Sequence, residues 1–372
     1  MADTVVVTAA SGPLGRRVVA LTAADPTVAR VVTIDRPDRP APPPGSGAVI
    51  EHHAVALDDP EVKRLCEGAA AVVHLGAGSS ATAAGGPDPG LDGTGAAGGT
   101  ADVVAARALL ACVEAAGVPT VVVLSSAMVY GAWPGNPVPL TEAAPLAPVP
   151  ELPFAVERGE IERAAAVLRA ERGGDGLSVA VLRPAIAVGP DLDGWLERSP
   201  WSKGWSAVDE AAPRTQYVHL DDVAAAVDRA RRARLDGPFN VAPDGWLSPE
   251  ARRRLQGGLP DLPVPAPLAE RVRAVRWRLA RRGVPAGLQP YTRYPWVVAN
   301  DRLRAAGWVP AHTNEEAFVD AHPAGRLATL DARRRQQLAL GTLAAVALAA
   351  VGAAAGAVVL VVRGRGPGRR AA

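Results

Sequence analysis

The sequence predicts an α/β fold built on a doubly wound parallel sheet, and three observations carry that reading. Val5-Val6-Val7-Thr8 is a β-branched run that reads as a buried strand; a small-residue turn, Ala9-Ala10-Ser11-Gly12, follows it, and a helix opens at Pro13-Leu14-Gly15. Arg30-Val-Val-Thr-Ile-Asp35 reads as a second strand ending in an acid, about 20 residues past Gly15. Apolar runs then alternate with helical stretches through the first two-thirds of the chain, the signature of a parallel sheet. A strand, a glycine turn and a helix N-terminus in that order make a cradle for a pyrophosphate, because the first helical turn offers unpaired N–H groups and a positive dipole end.

Taken in order, Val5–Thr8, Val31–Ile34, Val49–His53, Ala71–Leu75, Thr120–Ser125 and Leu177–Leu182 read as six strands. The helices lie near Leu14–Ala24, Pro60–Cys66, Ala101–Ala116 and Phe154–Glu171. In the first turn Gly12 lets the backbone approach phosphates, and Gly15 lets the helix pack close to the strand. Ala9 stands where the first glycine of that pattern is usual, so the tight turn departs from the pattern. Asp59 reads as the cap of the helix after the third strand. The Gly- and Ala-rich stretch Gly76 to Gly99 reads as a mobile loop over the crevice, and Trp133 to Pro153 as a proline-rich connection. From about Pro190 the pattern becomes irregular. Trp195, Trp201 and Trp205 either line a substrate pocket or pack under a loop.

The chain has 372 residues and a net charge of +2, which gives no reason to expect a nucleic-acid partner. Its basic residues are almost all arginine; Lys63 and Lys203 are the only lysines. Cys66 and Cys112 are isolated, without metal-ligand spacing; they suggest buried thiols in a reducing compartment and no metal centre. Met1-Ala-Asp-Thr is too short and too acidic to be a cleavable signal.

Leu338 to Val362 is a 25-residue run without a charge, preceded by Arg333-Arg334-Arg335 and followed by Arg363, Arg365, Arg369 and Arg370. As a helix it would reach roughly 37 Å, enough to cross a ~30 Å hydrocarbon layer with some tilt. It reads as a single C-terminal transmembrane anchor. Both flanks are basic, so charge does not orient it, and the predicted nucleotide fold favours a cytoplasmic main domain. Gly352 and Gly356 have the spacing that lets two such helices approach in a homodimer. Leu268, Val272, Val275 and Leu279, ringed by arginines, form either a membrane-surface helix or a solvated cap face. The expected organisation is a dinucleotide-binding Rossmann-type core over 1–189 and a substrate or cap region with returning core elements over 190–330. A span over 338–362 and a basic tail over 363–372 follow.

Five segments together resemble the extended short-chain dehydrogenases/reductases of the NAD-dependent epimerase/dehydratase family. They are Val72-Val-His-Leu-Gly-Ala77, Val123-Leu-Ser-Ser-Ala-Met-Val-Tyr-Gly131, Leu182-Arg-Pro-Ala-Ile-Ala-Val-Gly-Pro190, Tyr217-Val-His-Leu-Asp-Asp-Val-Ala224 and Val298-Ala-Asn-Asp-Arg-Leu-Arg-Ala-Ala-Gly-Trp-Val-Pro310. The resemblance runs from Val5 to about Phe318. It implies a bound dinucleotide, contacted at Ala9, Ser11, Gly12, Leu14, Gly15, Asp35, Arg36, Leu57, Leu75, Gly76, Arg158 and Pro184. It also implies a small-molecule substrate, with Ser126 as a catalytic hydroxyl. Asp35 favours NAD, since a carboxylate repels a 2′-phosphate, while Arg36 and Arg39 leave NADP open.

The same resemblance implies a Tyr-x-x-x-Lys pair at the start of a helix, Tyr as general acid/base and Lys lowering its pKa. The matching residues are Phe154 and Arg158. None of Tyr130, Tyr217, Tyr291 or Tyr294 has a lysine four residues on, so the pair is not relocated. Asp102 stands at the position of the family's helix asparagine and Ala56 at that of its adenine-touching acid. Glu157 is a substitute acid if burial raises its pKa, and an ordinary solvated glutamate otherwise. His219 and Asp221 fall on an expected loop after a strand, as structural ties. The expectation is a membrane-anchored, NAD-binding member of the fold with little or no standard catalysis. The alternative is an active epimerase, dehydratase or ketone reductase (sterol-like or sugar-nucleotide) with a non-standard acid/base.

Overall fold

The structure is a computed structural model and describes residues 3–42, 47–76, 96–172, 174, 176–191, 213–255 and 286–322, with 333, 334, 337 and 341 beyond them. The elements in order are β1 (Asp3–Thr8), α1 (Pro13–Ala23), β2 (Val28–Asp35), β3 (Val49–Ala54), α2 (Glu61–Cys66), β4 (Ala71–His74), α3 (Ala96–Ala116), β5 (Thr120–Leu124) and α4 (Pro153–Arg172). Then come β6 (Ser178–Pro184), β7 (Ile186–Val188), β8 (Tyr217–His219), α5 (Leu220–Arg232), β9 (Gly237–Val241), α6 (Pro249–Leu255), α7 (Asp301–Ala305) and α8 (Asn314–Ala321).

Seven strands form one parallel sheet in the order β3-β2-β1-β4-β5-β6-β9. The chain winds outward from β1 through β2 to β3, then crosses back to β4 on the other side of β1. That reversal opens a crevice beyond the C-terminal ends of β1 and β4, where doubly wound sheets bind ligands. Both faces are covered, which is why the strands read as continuous valine runs. Val5 and Val7 belong to the core that also holds Val18 and Val19 of α1 and Val223 and Val227 of α5. Val6 points the other way, into the core holding Leu109 and Val113 of α3 and Ile161 and Leu168 of α4.

Four sequence expectations are corrected. The sheet has a seventh strand, β9, beyond the six expected; Pro238 is tolerated because β9 is an edge strand. His219 and Asp221 do not lie on a loop: His219 ends β8 and caps α5, its ring accepting the Asp221 N–H at 3.2 Å, and Asp221 is in the first helical turn. Helix α3 begins at Ala96, inside the stretch expected to be loop. Cys66 is a buried thiol, its pKa pushed up to about 12 by burial, but Cys112 is only half-buried. Asp59 lies one residue before Pro60, the N-cap of α2, and accepts the Glu61 N–H at 2.8 Å. The loop residues 77–95, Trp195, Trp201, Trp205, the helix around Leu268 and the Gly352–Gly356 spacing lie outside the described residues, as does the anchor at 338–362 apart from Gly341. Among the described residues no helix is long and apolar enough to cross a membrane.

Ala9 sits at φ +52°, in the left-handed region that favours glycine. Its N–H bonds the Ile34 carbonyl at 3.0 Å and its own carbonyl takes the Gly12 N–H at 3.4 Å, so the turn holds it there. The glycine-type turn therefore persists with alanine in it, at about 1–2 kcal/mol of strain. Ala9→Gly is expected to raise the unfolding free energy by about 1 kcal/mol, less the unfolded-chain entropy glycine adds. Urea denaturation reads it; a lower midpoint would mean that the turn does not impose this φ.

Candidate functional site

Helix α1 starts with Gly12 as N-cap in extended conformation and Pro13 at its first position; no side chain caps it and no acid lies in its first turn. Its N-terminal N–H groups and dipole therefore face the crevice without an internal acceptor. Leu14 is buried beneath. A Cβ on Gly15 would lie 2.2 Å from the Ala9 carbonyl oxygen and 2.6 Å from two Ala10 backbone atoms, so only glycine lets α1 approach β1 this closely.

Asp35 ends β2 with its side chain 1% exposed. The Ser11 N–H donates to both its oxygens at 3.2 Å and the Ser11 hydroxyl donates to one at 2.8 Å. Burial raises its pKa, and the Ser11 hydrogen bonds and the nearby His52 and Arg39 work against the rise. The acid thus fixes the turn from behind. Arg36 is exposed, its Nε donating to Asp38 at 3.1 Å. Leu57 and Leu75 are buried on opposite faces of the sheet. Thr8 donates its hydroxyl proton to the Gly76 carbonyl at 2.9 Å, so the 3.0 Å contact of its oxygen with His74 Nδ1 requires His74 to donate there. Burial, with the Arg158 charge adding to it, pushes the His74 pKa down to about 3, so this ring stays neutral.

Ser126 follows β5 and caps a short 3-10 turn over Ala127–Tyr130, its oxygen accepting the Met128 N–H at 3.2 Å. Its proton remains for another acceptor. Phe154 is half-buried in the first turn of α4, and the Arg158 guanidinium carbon lies 5.3 Å from its ring centre. Arg158 is fully enclosed and its Nη1 reaches the Leu124 carbonyl at 3.4 Å, two residues before Ser126. Burial lowers the Arg158 pKa, and the charges of Asp102 and then Glu157 oppose that. Asp102 is itself buried, so a carboxylate and a guanidinium share this low-dielectric space. Ser126, Phe154 and Arg158 are thus brought to one corner of the sheet, and Pro184 ends β6 beside β5.

Sequence reasoning missed the buried network next to them. Arg183 on β6 donates Nε to both Glu162 oxygens at 3.0 Å, and its Nη1 donates to the Tyr130 hydroxyl at 2.7 Å. Tyr130 donates in turn to Asn240 on β9 at 2.8 Å, and Ser125 donates to Glu162. Burial pushes the Tyr130 pKa up to about 12. Tyr291 is buried too, its hydroxyl donating to the Met128 carbonyl at 2.7 Å, and burial raises its pKa further. Tyr217 packs edge-on against Phe318, and Tyr294 lies beside Arg293. The Tyr130 and Tyr291 phenols are therefore committed to internal side-chain and main-chain partners.

The NAD dependent epimerase/dehydratase family matches this chain over residues 5–242. An uncharacterized protein of Mycobacterium tuberculosis is 31% identical over 215 residues, 56% of this chain and 55% of that protein. The chain thus spans about half the length of the curated relatives it matches. Among solved structures, MoeE5 in complex with UDP-glucuronic acid and NAD is similar at a TM-score of 0.58 and 20% identity, over 85% of this chain and 97% of that one. DesIV, a dTDP-glucose 4,6-dehydratase from Streptomyces venezuelae with NAD and TYD bound, is similar at 0.60 and 18%, over 86% and 95%. At such identities these two structures speak for the fold. The matched segment holds all seven strands of the parallel sheet except the first two residues of β1, and the corner carrying Ser126, Phe154 and Arg158; the chain belongs to the NAD-dependent epimerase/dehydratase family.

Proposed function

We propose that this chain binds NAD in the crevice between β1 and β4 and turns over little or no substrate by its family's standard acid/base route. The observation that carries the second half is Phe154. It occupies the first turn of α4, where the family's proton donor is expected, and it has no ionisable oxygen. Tyr130 and Tyr291 are the phenols closest in sequence or bonding to Ser126, and both are locked. Losing a positioned acid/base costs about 10²–10⁴ in rate.

The crevice suits a dinucleotide: the uncapped α1 N-terminus for the pyrophosphate, Gly15 for the close approach, Asp35 bracing the Ser11 turn where the first ribose would lie, and Arg158 enclosed beneath the corner where the second would lie. NAD, when bound, supplies a hydride acceptor. Preference over NADP rests on the Asp35 carboxylate at the end of β2, with Arg36 turned to Asp38. The UDP-glucuronic acid bound in MoeE5, and the dTDP-glucose 4,6-dehydratase name of DesIV, support a sugar-nucleotide ligand. One observation favours a weakly active enzyme instead: Glu157 is half-buried one turn from Phe154, and its charge acts on Arg158.

The uncharged run 338–362 is proposed as a single-pass anchor with the main domain cytoplasmic, and Gly352 and Gly356 as a route to dimerisation. Membrane fractionation of the full chain against a chain ending at residue 330 tests the anchor; equal release of both by carbonate removes it. Calorimetric titration of the full chain in detergent tests the cofactor. NAD is expected to bind about tenfold more tightly than NADP, or about 1.4 kcal/mol. Gly15→Ala is expected to abolish both signals. Tighter NADP binding overturns the preference, and unchanged NAD binding in Gly15→Ala moves the cofactor off this turn.

A further inference from the structure

We propose that His219, Asp221 and His312 form a binding site for a divalent metal ion of the imidazole-preferring kind, with Zn²⁺ as the best fit. Among the described residues one ligand atom from each of the three lies within 4.8 Å of the others. They come from three places: the end of β8, the first turn of α5 and the segment leading into α8.

Each of the two rings is held from one side by a carboxylate. His219 Nε2 faces Asp320 Oδ2 at 3.0 Å, and His312 Nδ1 faces Asp222 Oδ2 at 3.0 Å. A neutral imidazole that donates from one nitrogen keeps a lone pair on the other. Metal-bound histidines are commonly held by a carboxylate in this way. The nitrogens left over are His219 Nδ1 and His312 Nε2. His219 Nδ1 is 3.5 Å from Asp221 Oδ2. The other Asp221 oxygen accepts Arg17 Nε, which fixes the carboxylate as an outer partner would.

The charge balance also favours a cation. Three carboxylates, Asp221, Asp222 and Asp320, border the ring pair, and one cation, Arg17, is shared between Asp221 and the more distant Asp191. Around tetrahedral Zn²⁺, bonds of about 2.0–2.2 Å place donor atoms roughly 3.3 Å apart. The His219–Asp221 pair already has that spacing. His312 must close by up to about 1.5 Å, from within 4.8 Å of the other two, its ring now tilted 35° to that of His219 with centroids 4.1 Å apart. Its side chain is 32% exposed, so it has room to move. The ion displaces the Asp221 N–H from His219 Nδ1, and water completes a two-histidine, one-aspartate set.

The test is titration of the metal-stripped full chain with Co²⁺ alone and with Zn²⁺ alone. One equivalent per chain is expected, with the visible absorption of four-coordinate Co²⁺. His312→Ala and Asp221→Asn are each expected to weaken Zn²⁺ binding by more than about tenfold. Asp320→Asn, which touches no ion, is expected to weaken it by about tenfold through the orientation of His219. Thermal unfolding without metal reports whether each variant is folded; if His312→Ala is not, exposed Asp221 and Asp320 still decide the matter. Absence of saturable binding overturns the site, as does binding with the same affinity and Co²⁺ spectrum in the folded variants. The cluster is then a tie between β8 and the segment before α8.

Discussion

Replacing Arg183 with leucine is expected to lower the unfolding free energy by about 3–5 kcal/mol, because it strands the Glu162 carboxylate in the core. The two side chains are 7% and 3% exposed. Burial disfavours the Arg183 cation, but the hydrogen bonds and charge of Glu162, together with Tyr130, outweigh that and its pKa goes up. The pair joins α4 to β6, Ser125 ties it to β5, and Tyr130 with Asn240 extends it to β9. The loss is therefore one of architecture around Ser126, Phe154 and Arg158 as well as of one contact. Arg183→Leu combined with Glu162→Leu should recover a large part of it, since removing both charges leaves none uncompensated. Urea unfolding of the two single variants and the double variant gives the coupling. A single-variant loss under about 1 kcal/mol would mean that water reaches Glu162, and the network would then not brace this corner.

How much of this was legible in the sequence follows from how local each signal is. The unit β1–α1–β2 was legible because strand, turn and helix are each written in adjacent residues. Even the departure at Ala9 was visible; only the φ of +52° needed coordinates. Strand β9 was not legible, because Gly237-Pro238 signals a turn unless one knows that the strand pairs on a single side. The helical start at His219 was hidden because a histidine cap is a rarer signal than Ser, Thr, Asp or Asn. In the candidate site, Ser126, Phe154 and Arg158 were found by motif. Glu162, Arg183 and Asn240 look like ordinary polar residues on three separate segments, and only the sheet order brings them together. His312 is the extreme case: nothing near it in the chain marks it, and its partners Asp222 and His219 arrive through the fold.

Restoring the family's pair, Phe154→Tyr with Arg158→Lys, is expected to raise turnover by about 10²–10⁴ on the right nucleotide sugar. A panel of UDP- and dTDP-hexoses, followed by product analysis, measures it. The single variants should be unequal. Phe154→Tyr alone places a phenol near the Arg158 guanidinium, whose carbon is now 5.3 Å from the ring centre, and a cation at that range favours the phenolate. It should therefore recover most of the gain. Arg158→Lys alone supplies no proton donor and should recover none. It also gives up a planar fork for a point charge, and lysine shifts its pKa more readily when buried. Asp102 then matters, because its carboxylate is the first of the charges that oppose the loss of the Arg158 proton. If the unmodified chain already turns over at about 10 s⁻¹, a common enzyme rate, Phe154 is not a lesion and Glu157 becomes the acid to test. If Phe154→Tyr with Arg158→Lys stays silent while NAD still binds, the loss lies elsewhere in this corner, and Asp102→Asn in that background is the next variant the geometry singles out.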